Sequence, residues 1–114
     1  MSRILIQDET RSVLLADVIL AESVASRMRG LLGSSSLPEG TGLLIRPCRS
    51  IHMWFMKFSI DAAFLDENLI VLKISRHLNP WQLAFAPPKT HCVLEGPAGA
   101  FSKLKPGMKL SLEM

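Results

Sequence analysis

Residues 60–75 read IDAAFLDENLIVLKIS, two apolar runs separated by the polar cluster Asp66-Glu67-Asn68. Ile60, Ala62 and Phe64 share one parity in the first run; Ile70, Leu72 and Ile74 share one in the second. Period-two alternation interrupted by turn-forming residues predicts strands over 60–66 and 69–75, folded back on each other. Near the C-terminus Met108, Leu110 and Leu112 alternate with Lys109, Ser111 and Glu113, which predicts a half-buried last strand. Near the N-terminus Arg3–Gln7 and Ser12–Leu20, rich in Ile, Leu and Val, flank Asp8-Glu9-Thr10-Arg11, a hairpin pattern.

Between these ends the pattern changes. In AESVASRMRGLLG, residues 21–33, Val24, Met28 and Leu31 fall on one helical face while Arg27 and Arg29 point away. This predicts the principal helix between Ser23 and Leu32, with Gly33 as its stop. Gly42–Arg46 reads as a short strand ended by Pro47. From Ile51 the chain is strand-like again, apolar on both parities at first and on one later, with a break near Lys57–Ser59. His77–Pro88, with three prolines, reads as a long loop held down by Trp81 and Phe85; Thr90–Glu95 reads as a strand, followed by a turn-rich connection. Seven or so short strands and one helix predict an α+β, mostly antiparallel fold, a small curled sheet or barrel-like domain.

The 114 residues are 48% hydrophobic and 20% charged, which excludes disordered and fibrous classes. By area scaling a chain this size exposes roughly 6,000 Å² folded against roughly 18,000 Å² unfolded, enough burial for one core. A single domain over 1–114 is expected, with no room for a full dinucleotide fold beside a substrate domain. The formal charge is +3, and no dense basic stripe or aromatic platform points to nucleic acid. Acids are nevertheless absent between Glu39 and Asp61, and again between Glu67 and Glu95, while lysines and arginines are present in both stretches. Folded together, those stretches make either a plain solvated surface or one mildly positive face able to attract an anion. No run is long enough for a membrane span and the first residues do not resemble a secretory signal, so a cytoplasmic protein is expected. There Cys48 and Cys92, without C-x-x-C spacing, are expected to be reduced and metal-free.

The densest chemistry lies in CRSIHMWFM, residues 48–56. Sulfur and imidazole suit Cu(I) or zinc, but on a strand Cys48, His52 and Met56 stand about 13 Å apart in succession, too far to share an ion. The expectation is no metal and no cofactor, and either a core strand or a pocket wall in which His52 and Trp54 face a ligand. A cysteine–histidine nucleophile pair lacks any sign of an activated thiol. Asp61 lies in apolar surroundings and needs partners: backbone N–H groups across the break, Arg46 or Arg49, or a carboxylate pairing with Glu95 near a pocket.

RMRGLLG (27–33), GTGLLI (40–45), IHMWFMKFSIDAAFLD (51–66), VLEGPAG (93–99) and LKPGMKL (104–110) together resemble the family called domain of unknown function 192. The resemblance implies a compact, mostly antiparallel β domain with a helix in its N-terminal third, and no agreed activity. It also places family residues at Met56, Asp61, Phe64 and Leu94–Gly99. Met53 and Ser59 stand where the family usually has Thr and Pro. The resulting expectation is non-enzymatic binding of a small molecule or partner in a pocket near 51–61 and 94–99, lined by His52, Trp54, Met56, Asp61 and Glu95. A ligand-free structural or interaction module, and an enzyme using Asp61, Glu95 and His52, are the alternatives.

Overall fold

A computed structural model of the chain describes residues 2–21, 36–46, 50–52 and 57–114. Nine strands run through them: β1 (Ser2–Ile6), β2 (Val13–Ala21), β3 (Thr41–Ile45), β4 (Ser50–His52), β5 (Ile60–Leu65), β6 (Val71–Leu78), β7 (Leu83–Phe85), β8 (Cys92–Pro97) and β9 (Leu110–Glu113). Seven form one sheet in the order β6-β5-β8-β3-β2-β1-β9, and β4 with β7 forms a separate two-stranded ribbon. The large sheet curls into a half-barrel. Its outer strands approach each other where Val71 N–H bonds the Met108 carbonyl, Gly107 N–H the Val71 carbonyl and Leu110 N–H the Leu69 carbonyl, at 2.8, 2.8 and 2.9 Å.

The two runs of 60–75 fold as the alternation predicts. β5 and β6 pair antiparallel, and Asp66 Oδ1 accepts the N–H groups of Asn68 and Ile70 in the turn between them. β1 and β2 likewise pair antiparallel. The apolar stretch from Ile51 divides near the predicted break: β4 belongs to the ribbon and β5 to the sheet.

Both faces of the curled sheet are apolar, and each carries its own core. Leu44, Ala63, Leu65, Cys92 and Leu94 line the inner face, closed by Phe101 and Leu104 from the turns after β8. Both of those side chains are fully buried, which is worth about 1.5–3 kcal/mol for each. Leu43, Ile45, Ile60, Ala62, Phe64 and Val93 line the outer face, over which the ribbon lies through Ala84. β5 therefore has every residue buried, the mark of a strand covered on both sides.

Two expectations need revision, and a third falls outside the described residues. Among the described residues the expected α+β, mostly antiparallel fold with one principal helix is corrected to an all-β half-barrel with a mixed sheet. β2 and β3 run parallel, Asp17 to Ala21 beside Thr41 to Ile45, and no helix occurs among the described residues. Alternation encodes which face a side chain takes but not the direction of the neighbouring strand, so the parallel pair leaves no trace in the pattern. The helix expected between Ser23 and Leu32 lies outside the described residues. The stretch 77–88 is not a loop held down by its aromatic residues: it completes β6, turns, and forms β7, with Trp81 and Phe85 exposed.

Candidate functional site

β5 and β8 are neighbours, and each contributes one fully buried carboxylate, Asp61 and Glu95. Asp61 sits opposite Gly96, and Glu95 sits opposite Ala62 and Leu43. Ala62 and Leu43 belong to the outer core; Ala63 and Leu65, which share the parity of Asp61, belong to the inner one. Strand alternation thus sends the two carboxylates to opposite faces of the sheet. They do not form the acid pair weighed from the sequence.

The inner carboxylate is committed to backbone. Between Ile60 and Ala62 the β5–β6 register slips, so Arg76 and His77 together face Asp61, and His77 takes φ 51°. Such a bulge leaves an N–H without a strand partner. Asp61 Oδ1 accepts it at 2.9 Å, and Oδ2 accepts the Phe101 N–H at 3.0 Å. The partners are thus backbone N–H groups, as anticipated in kind, but they come from His77 and Phe101 rather than from the break or an arginine.

Gly96 makes this arrangement possible. A Cβ there would stand 3.1 Å from the Phe101 ring, so glycine lets the ring lie against β8 and bring its N–H to Asp61. Gly99, at φ 92°, supplies the turn that returns the chain. Gly42 answers a tighter approach: a Cβ would fall 2.4 Å from the Glu95 carbonyl oxygen and 2.5 Å from Leu15 Cδ1. Much of VLEGPAG and GTGLLI is explained by packing alone. Sequence reasoning did not find the roles of Gly42, Gly96 or Phe101; their close approaches are made across strands and turns distant in sequence.

Glu95 lies in an unbroken stretch of the pairing of β8 with β3 and β5. Its carboxylate lies on the outer face with Val93 and Ala62, and burial at 0% exposure requires hydrogen bonds or a counter-charge, so it is not without a partner. The ribbon over this face contains His52, whose backbone pairs with Leu83. Trp54, Met56 and Cys48 lie outside the described residues. Next to the VLEGPAG turn, an open concavity of about 620 Å³ is bordered by Leu14, Leu37, Glu39, Gly40, Pro97 and Ala98, among others. Among the described residues no group of three His, Cys, Asp or Glu could hold a metal ion, and no helix is long and apolar enough to cross a membrane.

The family model of domain of unknown function 192, described as an uncharacterized ACR, matches residues 5–112. A UPF0127 protein of Pyrococcus horikoshii is 33% identical over 95 residues, covering 79% of this chain and 80% of that protein. A UPF0127 protein of Thermococcus sibiricus is 30% identical over 91 residues, covering 76% of this chain and 58% of that one. The crystal structure of a protein of unknown function from Novosphingobium aromaticivorans matches with a TM-score of 0.80 at 22% identity, over 96% of this chain and 83% of that one. That of a candidate transcription regulator from Sinorhizobium meliloti gives 0.79 at 21%, over 96% and 92%. At such identities the two structures speak for the shared fold alone. The motifs that run from GTGLLI to LKPGMKL, the match over 5–112 and the Pyrococcus relative together establish that the chain belongs to the domain of unknown function 192 family.

Proposed function

We propose that this protein is a non-enzymatic binding domain that takes a small molecule or partner in a pocket on the outer face, around residues 51–61 and 94–99. One observation carries the reading: Glu95 is a fully buried carboxylate on the face of the sheet that the β4–β7 ribbon covers. Pockets of this kind set a few polar groups among apolar walls. Glu95 is the polar anchor, and the segment that carries His52, Trp54 and Met56 is proposed to supply the wall. Asp61 supports the pocket from the other side of β5 by holding the Phe101 turn. The cytosol is the proposed place of action, supported by the use of Cys92 as a buried side chain in the inner core.

An enzyme that uses Asp61, Glu95 and His52 together has less support, because Asp61 faces away from Glu95 and both its oxygens hold backbone. The test is a fragment library screened by amide chemical shifts on the wild type and on Glu95→Gln. Fragments that shift the amides of Val93–Ala98 in the wild type, with affinity about tenfold weaker in the variant, are expected. Glu95→Gln leaves the partners of a buried carboxylate facing a neutral amide and should itself cost about 1.5–3 kcal/mol of stability. Binders that all map elsewhere, or that ignore the variant, overturn the reading.

A further inference from the structure

Between β6 and β8 the 13 residues 79–91 form a strap across the outer face. It leaves β6 at Leu78, opposite Ile60, and enters β8 at Cys92, opposite Leu65, so its ends stand at the two ends of β5. Both ends are pinned. Ser59 Oγ donates to Asn79 Oδ1 at 2.7 Å at the first, and His91 N–H donates to the Leu65 carbonyl at 2.8 Å at the second. Between them Ala84 and Ala86 rest on the outer core. From strand rise and spacing the distance to be crossed is about 20 Å, whereas a chain of this length reaches about 45 Å when extended. The strap therefore has enough slack to rise from the face without drawing β6 and β8 apart.

Its middle is held by a side chain of the sheet. Lys73 stands opposite Phe64 in the β5–β6 pairing and takes the outer face, while Ile74 beside it packs on the inner core. Lys73 Nζ lies 5.6 Å from the centroid of the buried Phe64 ring and donates to the Phe85 carbonyl at 3.0 Å. One ammonium thus joins the sheet, through its stem and the ring, to the backbone of the strap. We propose that Lys73 is the positioning residue of the outer-face pocket, a clip that holds the strap down over the face carrying Glu95. The proposal rests on the pocket reading given above. The placement supports it: Phe64 pairs with Val93, and Glu95 follows two residues later opposite Ala62, in the next row of the same face. A hydrogen bond from a cation to a carbonyl is strong enough to keep a slack strap in place. Because this one is exposed, water can replace it when a ligand enters.

The experiment measures solvent access to alanine methyl groups in the full chain, from the NMR relaxation that a soluble gadolinium chelate adds. Ala84 lies on the strap and Ala62 on the outer face of β5, while Ala63 faces the inner core and serves as internal reference. In Lys73→Met, which keeps the stem and loses the charge, relaxation at Ala84 and Ala62 is expected to rise about threefold, with Ala63 unchanged. Lys73→Arg, which keeps a cationic donor, should restore the wild-type values. The fragment that binds the wild type tightest at Val93–Ala98 should dissociate about fivefold faster from Lys73→Met. No rise at Ala84 and Ala62, or an equal rise at Ala63, overturns the clip. A rise that leaves the fragment unaffected overturns its role at the pocket. If the wild type binds no fragment there, the pocket reading fails by itself, and the methyl signals alone decide whether Lys73 holds the strap.

Discussion

The inner and outer faces of the half-barrel hold one buried carboxylate each, on adjacent strands, and they are used differently. On the inner face Asp61 joins three separate pieces of chain: β5, the bulge of β6 and the turn that carries Phe101. Its polarity is consumed by backbone. On the outer face Glu95 lies in the regular pairing of β8 with β3 and β5, on the side that a short ribbon covers. Burial alone therefore does not mark a functional residue. For Asp61 the bulge and the turn create the need for a carboxylate.

The strongest way to break this comparison is to remove the inner carboxylate. Asp61→Ala leaves the His77 and Phe101 N–H groups without an acceptor. With about 1–3 kcal/mol for each stranded group, a loss of about 2–6 kcal/mol is expected in urea denaturation. Asp61→Asn keeps one carbonyl acceptor and should lose about half as much. An unchanged midpoint in both variants would show that Asp61 is not the pin described. Glu95→Gln, which keeps one carbonyl acceptor, should cost less than Asp61→Ala; a larger loss would make the outer carboxylate the main pin of the fold.

A finer probe leaves Asp61 in place and disturbs what lies against it. In Gly96→Ala the new Cβ would meet the Phe101 ring at 3.1 Å, so the ring must shift by a few tenths of an ångström. Overpacking of this kind costs about 1 kcal/mol, and the Phe101 N–H moves with the ring. The expected signature is slower loss of structure than in Asp61→Ala but faster amide exchange at Phe101 than in the wild type. Unaltered exchange there would separate the glycine from the carboxylate.

The sequence was legible wherever one segment supplied both the pattern and its partner. The β5–β6 hairpin follows from alternation on both sides of Asp66-Glu67-Asn68, and the final strand from Met108, Leu110 and Leu112. Asp61 could be recognised as needing partners, but its donors lie 16 and 40 residues away, in a bulge and a turn that no local pattern announces. The parallel β2–β3 pair was hidden for a related reason, since strand direction is set by a connection and not by periodicity. Trp81 and Phe85 were misjudged because apolar residues among prolines suggest anchors. Pairing of β7 with β4 instead turns Ala84 inward and the larger side chains outward.

The smallest effect concerns a third carboxylate, which applies the same bonding logic in solvent. Asp8, in the turn between β1 and β2, accepts through Oδ1 from the Thr10 hydroxyl at 2.8 Å and from the N–H groups of Thr10 and Arg11 at 3.0 and 2.8 Å. Its pKa lies below the ordinary carboxylate value, first because of the Thr10 hydroxyl; desolvation, the next largest effect, opposes it, and backbone donors from Arg11, Thr10 and Ser12 add to the lowering. A lowered folded value means the unfolded chain takes up this proton first as pH falls. The turn's contribution is therefore complete above the unfolded pKa and is lost as pH drops through the folded one. Thr10→Val removes the main donor and should raise the Asp8 pKa in a carboxyl NMR titration, with little change in stability at neutral pH because the group is exposed. If the titration did not move, the hydroxyl would not be the cause. If the variant were instead destabilised as much as Asp61→Ala, burial would cease to be what gives the inner carboxylate its weight.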